Sequence, residues 1–209
     1  MERRNQMTAA LAALLMVIDH VGAIFFPGDM GFRLIGRLSF PLFAYGIAQG
    51  VAYTSNFPKY LFRILLAAVV SQPIYWLAFY STNLNPLFTL ALGALVLWLS
   101  RRGQKEQILA MILLLLSVGL KSSYSWYGVA TIYLYGFYYC AREISFYGQL
   151  ALQIIYGFTT GAWIQSFSIC AFPFAGRIWK KQILLPQYFL YIFYPLHLLI
   201  LIGIREIIY

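Results

Sequence analysis

Long apolar runs separated by short polar connections repeat along the whole chain. A run of about 20 apolar residues is long enough to cross the hydrocarbon core of a bilayer as a helix. The pattern predicts about nine such spans, and eight to ten are compatible with it. The expected ranges are 7–26, 34–54, 60–80, 86–100, 107–120, 126–140, 145–157, 161–175 and 187–208. We therefore expect an all-α, polytopic transmembrane helix bundle.

The spans predicted between residues 86 and 175 have the least well defined boundaries, because the apolar runs there are shorter than in the rest of the chain. Residues 145–175 cross either once or twice, since 157–161 is their only break. Apolar stretches recur from end to end, and no polar block is long enough to fold separately. The sequence predicts a single integral membrane domain over residues 1–209.

The composition agrees with a membrane protein, because 62% of the residues are hydrophobic and only 10% are charged. Soluble domains carry roughly 25% charged residues. The net charge of +9 comes from basic residues scattered through short connections, without a continuous basic stripe. This distribution argues against a nucleic-acid partner. The lipid bilayer is the expected partner instead.

Basic residues cluster in every second predicted connection, which sets the expected orientation. They are Arg3, Arg4, Lys59, Arg63, Arg101, Arg102, Lys105, Arg142, Arg177, Lys180 and Lys181. By the positive-inside rule, the N-terminus is cytoplasmic and the protein lies in the inner (cytoplasmic) membrane as a multi-pass protein. This orientation places Asp19 and His20 in the outer half of the first span and His197 about halfway along the last.

Asp19 is an acid inside an apolar run, where a charged residue costs about 2.5–3.5 kcal/mol on insertion scales. Its neighbour His20 points about 100° away on a helix, so Asp19 is not expected to orient that imidazole. Arg33 and Arg37 lie four positions apart and share a face of the next span. We expect Asp19 to pair with Arg37. A purely structural ion pair that fixes helix register is the alternative.

The chain has two histidines, and both fall inside predicted spans. A neutral imidazole in a partly dry cavity is a common general base, and we expect His20 to act on substrate in this way. A hydrogen-bonding role near the interface is the alternative. For His197 three roles stay open, because Pro195 disturbs its helix: orienting the substrate, contacting His20 through water, or capping freed carbonyls.

Further polar and small residues complete the candidate list. Gln72 and Asn85 join Arg33 and Arg37 as candidate substrate contacts, with Asn85 a possible oxyanion donor. Gly46 and Gly50 form a pattern that lets helices approach closely. Cys140 and Cys170 are expected to be buried packing residues, and Tyr124, Trp126 and Tyr127 interface anchors. No metal-ligand pattern occurs, so we expect no metal.

Several motifs together resemble the TraX family. They are IDHVGAIFFP at 18–27, RLIGRLSFPLFAYGIAQGVAYT at 33–54, KYLFRILLAAVVSQPIY at 59–75, NPLFTLALGAL at 85–95 and YFLYIFYPLHLLILI at 188–202. Their order and spacing match over most of the chain, most densely in the first 95 and last 25 residues. The middle of the chain matches mainly as hydrophobic spans.

The resemblance implies a polytopic inner-membrane protein linked to N-terminal acetylation of pilin. It implies an acyltransferase that uses cytoplasmic acetyl-CoA as co-substrate and modifies an extracytoplasmic protein or glycan. The residues it implicates are Asp19, His20, Arg37, Phe40, Pro41, Asn85 and His197. Contacts to the CoA phosphates would come from Arg101, Arg102, Arg177, Lys180 and Lys181, which are otherwise plain topology anchors.

Two other functions remain open at this stage. One is a transporter or flippase in which Asp19, Arg37 and His197 line a passage, although the chain has no internal repeat. The other is a non-enzymatic membrane partner in pilus or envelope assembly. For the enzyme, direct transfer and an acetyl-histidine relay both fit the sequence.

Overall fold

The computed structural model describes residues 6–177, 179, 185, 186 and 188–208. These residues form nine α-helices and two 3₁₀ helices and contain no β-strand, which confirms the all-α class. The α-helices are α1 (Gln6–Phe25), α2 (Met30–Gly36), α3 (Ser39–Tyr53), α4 (Phe57–Phe79), α5 (Pro86–Ser100), α6 (Gln104–Leu116), α7 (Ser125–Tyr135), α8 (Arg142–Thr160) and α9 (Phe189–Ile208). The 3₁₀ helices are Ser117–Gly119 and Trp163–Phe174.

Three helices, α1, α4 and α9, are long and apolar enough to cross a membrane, with 20, 23 and 20 residues. Large apolar side chains on their outer faces are exposed, such as Phe62 and Val69 on α4 and Leu199 on α9. Such faces suit a lipid environment and give the chain the character of a membrane protein. The count of nine spans and the orientation of the N-terminus stay predictions.

The expected second span, 34–54, is not one helix, because α2 ends at Gly36 and α3 begins at Ser39. Asp29 caps α2, since its side chain accepts a hydrogen bond of 2.7 Å from the Gly31 amide. The short helix folds back onto α1 and packs there at close range.

Two glycines allow this approach of α1 and α2. A Cβ added to Gly22 would lie 2.2 Å from the Phe32 Cβ, and one added to Gly36 would lie 2.3 Å from the Asp19 Cβ. Both distances are far below ordinary van der Waals contact. Glycine at these two positions therefore sets the spacing between the helices.

The span expected at 161–175 is helical, but it is not the expected α-helix. Residues Trp163–Phe174 form a 3₁₀ helix. Gly161, with φ +72°, ends α8 in the left-handed conformation and turns the chain. Runs of 3₁₀ helix longer than three or four residues are uncommon. An apolar pattern of this length does not distinguish such a helix from an α-helix.

The core lies between α1, α3, α5 and α7, where small residues let the helices pack closely. Ala12, Ala44 and Ala94 are each 0% exposed. The Ser39 hydroxyl donates a 2.8 Å hydrogen bond to the Ala12 carbonyl and so joins α3 to α1. This contact fixes the start of α3 beside the middle of α1.

Helices α2 and α3 both run back along α1 towards its beginning, since Phe32 lies at Gly22, Gly36 at Asp19 and Ser39 at Ala12. The short connections of the chain then gather basic residues at one end of the bundle. We call this the basic end and define it by Lys59, Arg101, Arg102, Arg142 and Arg177. Helices α1, α4 and α9 begin there, and Asp19 and His20 lie towards the opposite end of α1. The charge pattern of the sequence thus becomes a polarity of the fold.

The cysteine expectation is wrong. Cys140 and Cys170 are both free and exposed rather than buried in the packing. Cys140 follows the end of α7, and Cys170 lies in the 3₁₀ helix, so neither belongs to a core-facing α-helical stripe. An apolar sequence context indicates a nonpolar environment but does not decide between protein core and outer surface.

Candidate functional site

The two histidines meet although 177 positions separate them. His20 Nδ1 lies 2.8 Å from His197 Nε2, and the ring planes differ by only 12°. Both residues are buried, with 8% and 6% of their surface exposed. Of the three roles considered for His197, the structure shows contact with His20, made directly instead of through water, and a hydrogen bond to a backbone carbonyl.

The hydrogen-bond partners of His197 determine the tautomers of both neutral rings. His197 Nδ1 lies 2.8 Å from the Phe193 carbonyl oxygen, which only accepts, so this nitrogen carries the proton. His197 Nε2 then accepts from His20 Nδ1–H. The remaining nitrogen, His20 Nε2, keeps its lone pair and has the form required of a general base.

Asp19 pairs with Arg33 rather than with Arg37, which corrects the expected pairing. Asp19 Oδ1 lies 2.9 Å from an Arg33 guanidinium nitrogen. The expectation that both arginines follow one helical turn apart holds, because the Arg37 amide donates to the Arg33 carbonyl at 3.1 Å. Arg37 is the C-cap of α2, and the guanidinium of Arg33, one turn earlier, is the one that reaches the Asp19 carboxylate.

Arg37 keeps a positive charge close to the site. Its buried Nε donates to no acceptor within the part of the chain that the structure describes. The guanidinium acts electrostatically on Asp19 and on Tyr124. The structure therefore brings Asp19, His20, His197, Arg33 and Arg37 into one region between α1, α2 and α9.

A cavity of about 110 Å³ opens beside this region. Asp19 and His20 line one end of it, and Thr8, Gln49 and Tyr60 line the other. Thr8 and His20 are twelve positions apart on α1, which corresponds to about 18 Å along the helix. The cavity thus follows α1 from its beginning at the basic end to the imidazole of His20.

Aromatic side chains surround the imidazoles. The Phe79 ring meets His20 edge-on with centroids 5.0 Å apart, and the Tyr194 ring meets His197 in the same way at 5.6 Å. The Phe40 and Tyr124 rings stack at 3.7 Å, and both line the cavity. The Phe79 and Tyr194 rings give the pair an apolar surround, and Phe40 and Tyr124 form part of the wall of the adjoining cavity.

Two of the predicted interface anchors have other positions. Tyr124 lines the cavity, and burial raises the pKa of its phenol, so the group is a neutral hydroxyl. Tyr127 is 0% exposed, and its hydroxyl contacts Ser168 Oγ at 2.9 Å. Aromatic residues at the ends of apolar runs suggest anchors, and only the tertiary packing shows which of them turn inward.

The arrangement can be compared with known proteins at this point. A family model described as "TraX protein" matches residues 5–205. The chain belongs to the TraX family. It is also 27% identical over 232 aligned positions to the "Probable fimbrial assembly protein FimC, serogroup H1" of Dichelobacter nodosus, covering 93% of each chain. No solved structure matches the chain at a significant level.

In this TraX family member, Gln72 and Asn85 hold the connection between α4 and α5. Asn85 Nδ2 donates to the Ala68 carbonyl at 2.8 Å, and its Oδ1 accepts from the Leu87 amide at 3.0 Å. Gln72 Oε1 accepts from the Asn85 amide at 2.9 Å, and its Nε2 donates to the Asn83 carbonyl at 2.9 Å. The structure thus places both amides in contacts with the backbone and outside the cavity lining.

The candidate CoA contacts lie at the basic end in different surroundings. Arg101 donates a 3.1 Å hydrogen bond to the Gly136 carbonyl, and the Arg102 guanidinium lies 4.1 Å over the Trp98 ring. Arg177 lies 5.1 Å over the ring of Trp179. Lys180 and Lys181 lie outside the described residues.

Arg177 is the candidate most directly connected to the cavity. Its ring partner Trp179 donates a 3.3 Å hydrogen bond to Thr8 Oγ1, and Thr8 lines the cavity. Among the described residues, no three His, Cys, Asp or Glu side chains are grouped as metal ligands. The chemistry that the arrangement itself can perform is proton transfer by His20.

Proposed function

We propose that this TraX family member is a membrane-embedded acetyltransferase. It moves an acetyl group from cytoplasmic acetyl-CoA to an extracytoplasmic acceptor, such as a pilin N-terminal amine or another protein or glycan of the envelope. The observation that carries the proposal is the His20–His197 pair at the end of a cavity that follows α1. The fimbrial assembly name of the relative from Dichelobacter nodosus supports a role in pilus assembly.

The proposed orientation follows from the basic end of the bundle. By the positive-inside rule this end faces the cytoplasm, where acetyl-CoA is available. The thioester enters the cavity past Thr8, and Arg177 lies beside that entrance as a phosphate contact, with Arg101 and Arg102 further along the same end. The cavity then leads the acetyl group to His20.

The proposed chemistry is direct transfer with His20 as general base. His20 Nε2 accepts the proton of the acceptor amine or hydroxyl while its nitrogen or oxygen forms a bond to the thioester carbon. The carbon–sulfur bond breaks, and CoA leaves as a thiolate that takes up the proton held on His20 Nε2, which restores the neutral base. An acetyl-histidine relay would use the same nitrogen of His20.

His197 stabilises the charge that His20 gains in this step. The imidazolium of His20 donates from Nδ1 to His197 Nε2, and His197 donates in turn to the Phe193 carbonyl. Each hydrogen bond in such a chain polarises the next. His197 is therefore a positioning residue in the proposal, and His20 is the catalytic residue.

Asp19 and Arg33 hold α1 and α2 together at the His20 end of the cavity. Their ion pair joins α1 to α2, and Gly36 packs directly on the Asp19 side chain. The unpaired Nε of Arg37 adds a donor near the cavity that can meet a carbonyl or carboxylate of the acceptor.

The test compares cells that carry the parent gene with cells that carry His20→Ala. Mass spectrometry of envelope proteins and glycans should show an acetylation that only the parent supports. Ser71→Ala serves as the matched control, because Ser71 is buried in α4 and its hydroxyl donates a hydrogen bond to the carbonyl of Ala67 in the same helix. Identical acetylation in the His20→Ala and parent cells would contradict the proposal.

Purified protein provides an independent measurement. A ligand that binds the folded state but not the unfolded chain raises the unfolding temperature, and the rise grows with the logarithm of the ligand concentration above its Kd. Acetyl-CoA at millimolar concentration should therefore stabilise the parent protein against heat. The absence of any shift would contradict the proposed co-substrate.

A further inference from the structure

Tyr194 lies on α9 one turn before His197 and lines the same cavity as His20. Residues three apart on a helix are neighbours on its surface. Only 4% of Tyr194 is exposed, and its ring packs in an apolar cluster. The other buried members of this cluster are Met16, Tyr75, Ala78 and Leu198.

The hydroxyl of Tyr194 is buried, and no donor or acceptor among the described residues lies within hydrogen-bond distance of it. Tyr75, in the same cluster, behaves differently, because its hydroxyl contacts Ser123 Oγ at 2.7 Å. Most buried polar groups in proteins are paired, and an unpaired one destabilises the fold. An unpaired hydroxyl beside a cavity indicates a partner supplied by a ligand.

We propose that the Tyr194 hydroxyl donates a hydrogen bond to the carbonyl oxygen of the bound acetyl thioester and to the oxyanion formed from it. This inference rests on the acetyltransferase function proposed above. When the acceptor attacks the carbonyl carbon, the π electron pair moves to the oxygen, and the negative charge is stabilised by the phenol. When the pair returns, the carbon–sulfur bond breaks and the thiolate leaves.

The fold places the two chemical groups on different helices but at one end of the cavity. The base comes from α1, and the donor comes from α9. His197 contacts His20 from the helix turn that also carries Tyr194, so this turn positions both the base and the donor. A phenol is suited to this role because it donates without carrying a charge into an apolar region.

The first test replaces Tyr194 by Phe, which keeps the ring and its packing and removes only the hydroxyl. Because this hydroxyl has no partner among the described residues, Tyr194→Phe should unfold at the same temperature as the parent or at a higher one. The His20-dependent acetylation should fall by about 10²–10³-fold, as for loss of an oxyanion donor in other enzymes. An unchanged rate of acetylation would overturn the assignment.

Tyr75→Phe is the matched control, because it removes a hydroxyl that does have a partner, Ser123, in the same cluster. Its unfolding temperature should fall, and its acetylation per folded molecule should stay at the level of the parent. If Tyr194→Phe behaved like this control, with lost stability and retained activity, the hydroxyl would be structural and the proposal would be wrong.

A second test reads the carbonyl directly by infrared difference spectroscopy with acetyl-CoA labelled with ¹³C at the acetyl carbonyl. A hydrogen-bond donor lowers the stretching frequency, so the bound band of the parent should lie below that of Tyr194→Phe. A bound band at the same frequency in both would overturn the role of Tyr194 and leave the acetyltransferase proposal standing. No bound band in the parent would overturn both.

Discussion

At the scale of single residues, two hydrogen bonds form a chain in which each group donates to the next. His20 donates to His197, and His197 donates to the Phe193 carbonyl. His20 lines the cavity, whereas His197 contacts His20 from behind and donates to the backbone. The two imidazoles are therefore unequal. One can reach a substrate, and the other fixes the tautomer and orientation of the first.

Replacing His197 should accordingly affect turnover more than binding. In His197→Ala, the proton on His20 Nδ1 loses its acceptor. The kcat of the proposed acetyl transfer should then fall by about 10²–10⁴-fold, which is the usual contribution of general base catalysis. KM for acetyl-CoA should change little. His197→Gln restores an acceptor oxygen and should recover part of the rate. A rise in KM with unchanged kcat would contradict this division of roles.

The ion pair of Asp19 can also be tested by substitution, because in the structure Asp19 pairs with Arg33 and not with Arg37. Arg33→Gln leaves a largely buried carboxylate without its partner and should lower the free energy of unfolding by ~2 kcal/mol. Arg37→Gln should lower the free energy of unfolding by less. The double variant with Asp19→Asn and Arg33→Gln should regain much of the stability lost in Arg33→Gln, because it has no unpaired carboxylate. Thermal unfolding of the parent and the three variants measures this, and a larger loss of stability in Arg37→Gln than in Arg33→Gln would contradict the pairing.

The sequence could identify Asp19, His20 and His197, because ionisable groups inside apolar runs are costly and therefore informative. It could not identify Tyr194. The chain has 17 tyrosines, and an unpaired buried hydroxyl is a property of tertiary packing alone. The contact between the two histidines likewise requires α1 and α9 to pack together, and no local pattern encodes that.

At the scale of elements, the return of α2 along α1 decides how the site is built, because it places Arg33 on Asp19. A short break then separates Gly36 from Ser39, although Arg37 still follows Arg33 by one helical turn. Helix positions were predictable from the apolar runs, but this short break and the 3₁₀ form of Trp163–Phe174 were not, because neither changes the hydropathy pattern.

The α1–α2 contact can be tested at Gly36. In Gly36→Ala the new methyl group would meet the Asp19 side chain at 2.3 Å, so the helices must separate. Overpacking of this kind costs about 1–3 kcal/mol and should also weaken the Asp19–Arg33 pair. Gly203→Ala is the control, since its Cβ meets nothing within 4 Å and alanine should stabilise α9 by about 0.5–1 kcal/mol. Equal unfolding temperatures for the two variants would contradict the close contact.

At the scale of the whole molecule, the cavity connects two features that lie far apart in the fold. The basic end carries Arg177 and Trp179 beside Thr8, and the opposite end of the cavity carries His20. A thioester on a long flexible arm suits this separation, because its charged head and reactive carbonyl are also far apart.

The two glycines of the small-residue pattern, Gly46 and Gly50, differ in their packing. A Cβ added to Gly50 would meet Tyr60, whereas one added to Gly46 would meet nothing within 4 Å.

Gly46 offers a way to block the cavity without disturbing the histidines. It lines the cavity towards the basic end, and a Cβ added there meets nothing within 4 Å. The side chain of Gly46→Leu should therefore extend into the open space, occupy the path of the acyl arm and leave the unfolding temperature near that of the parent. Thermal stabilisation by acetyl-CoA should be lost, as should His20-dependent acetylation. Gly203→Leu, on the exposed part of α9 away from the cavity, should retain both. If Gly46→Leu bound acetyl-CoA like the parent, the co-substrate would have to reach His20 by another route.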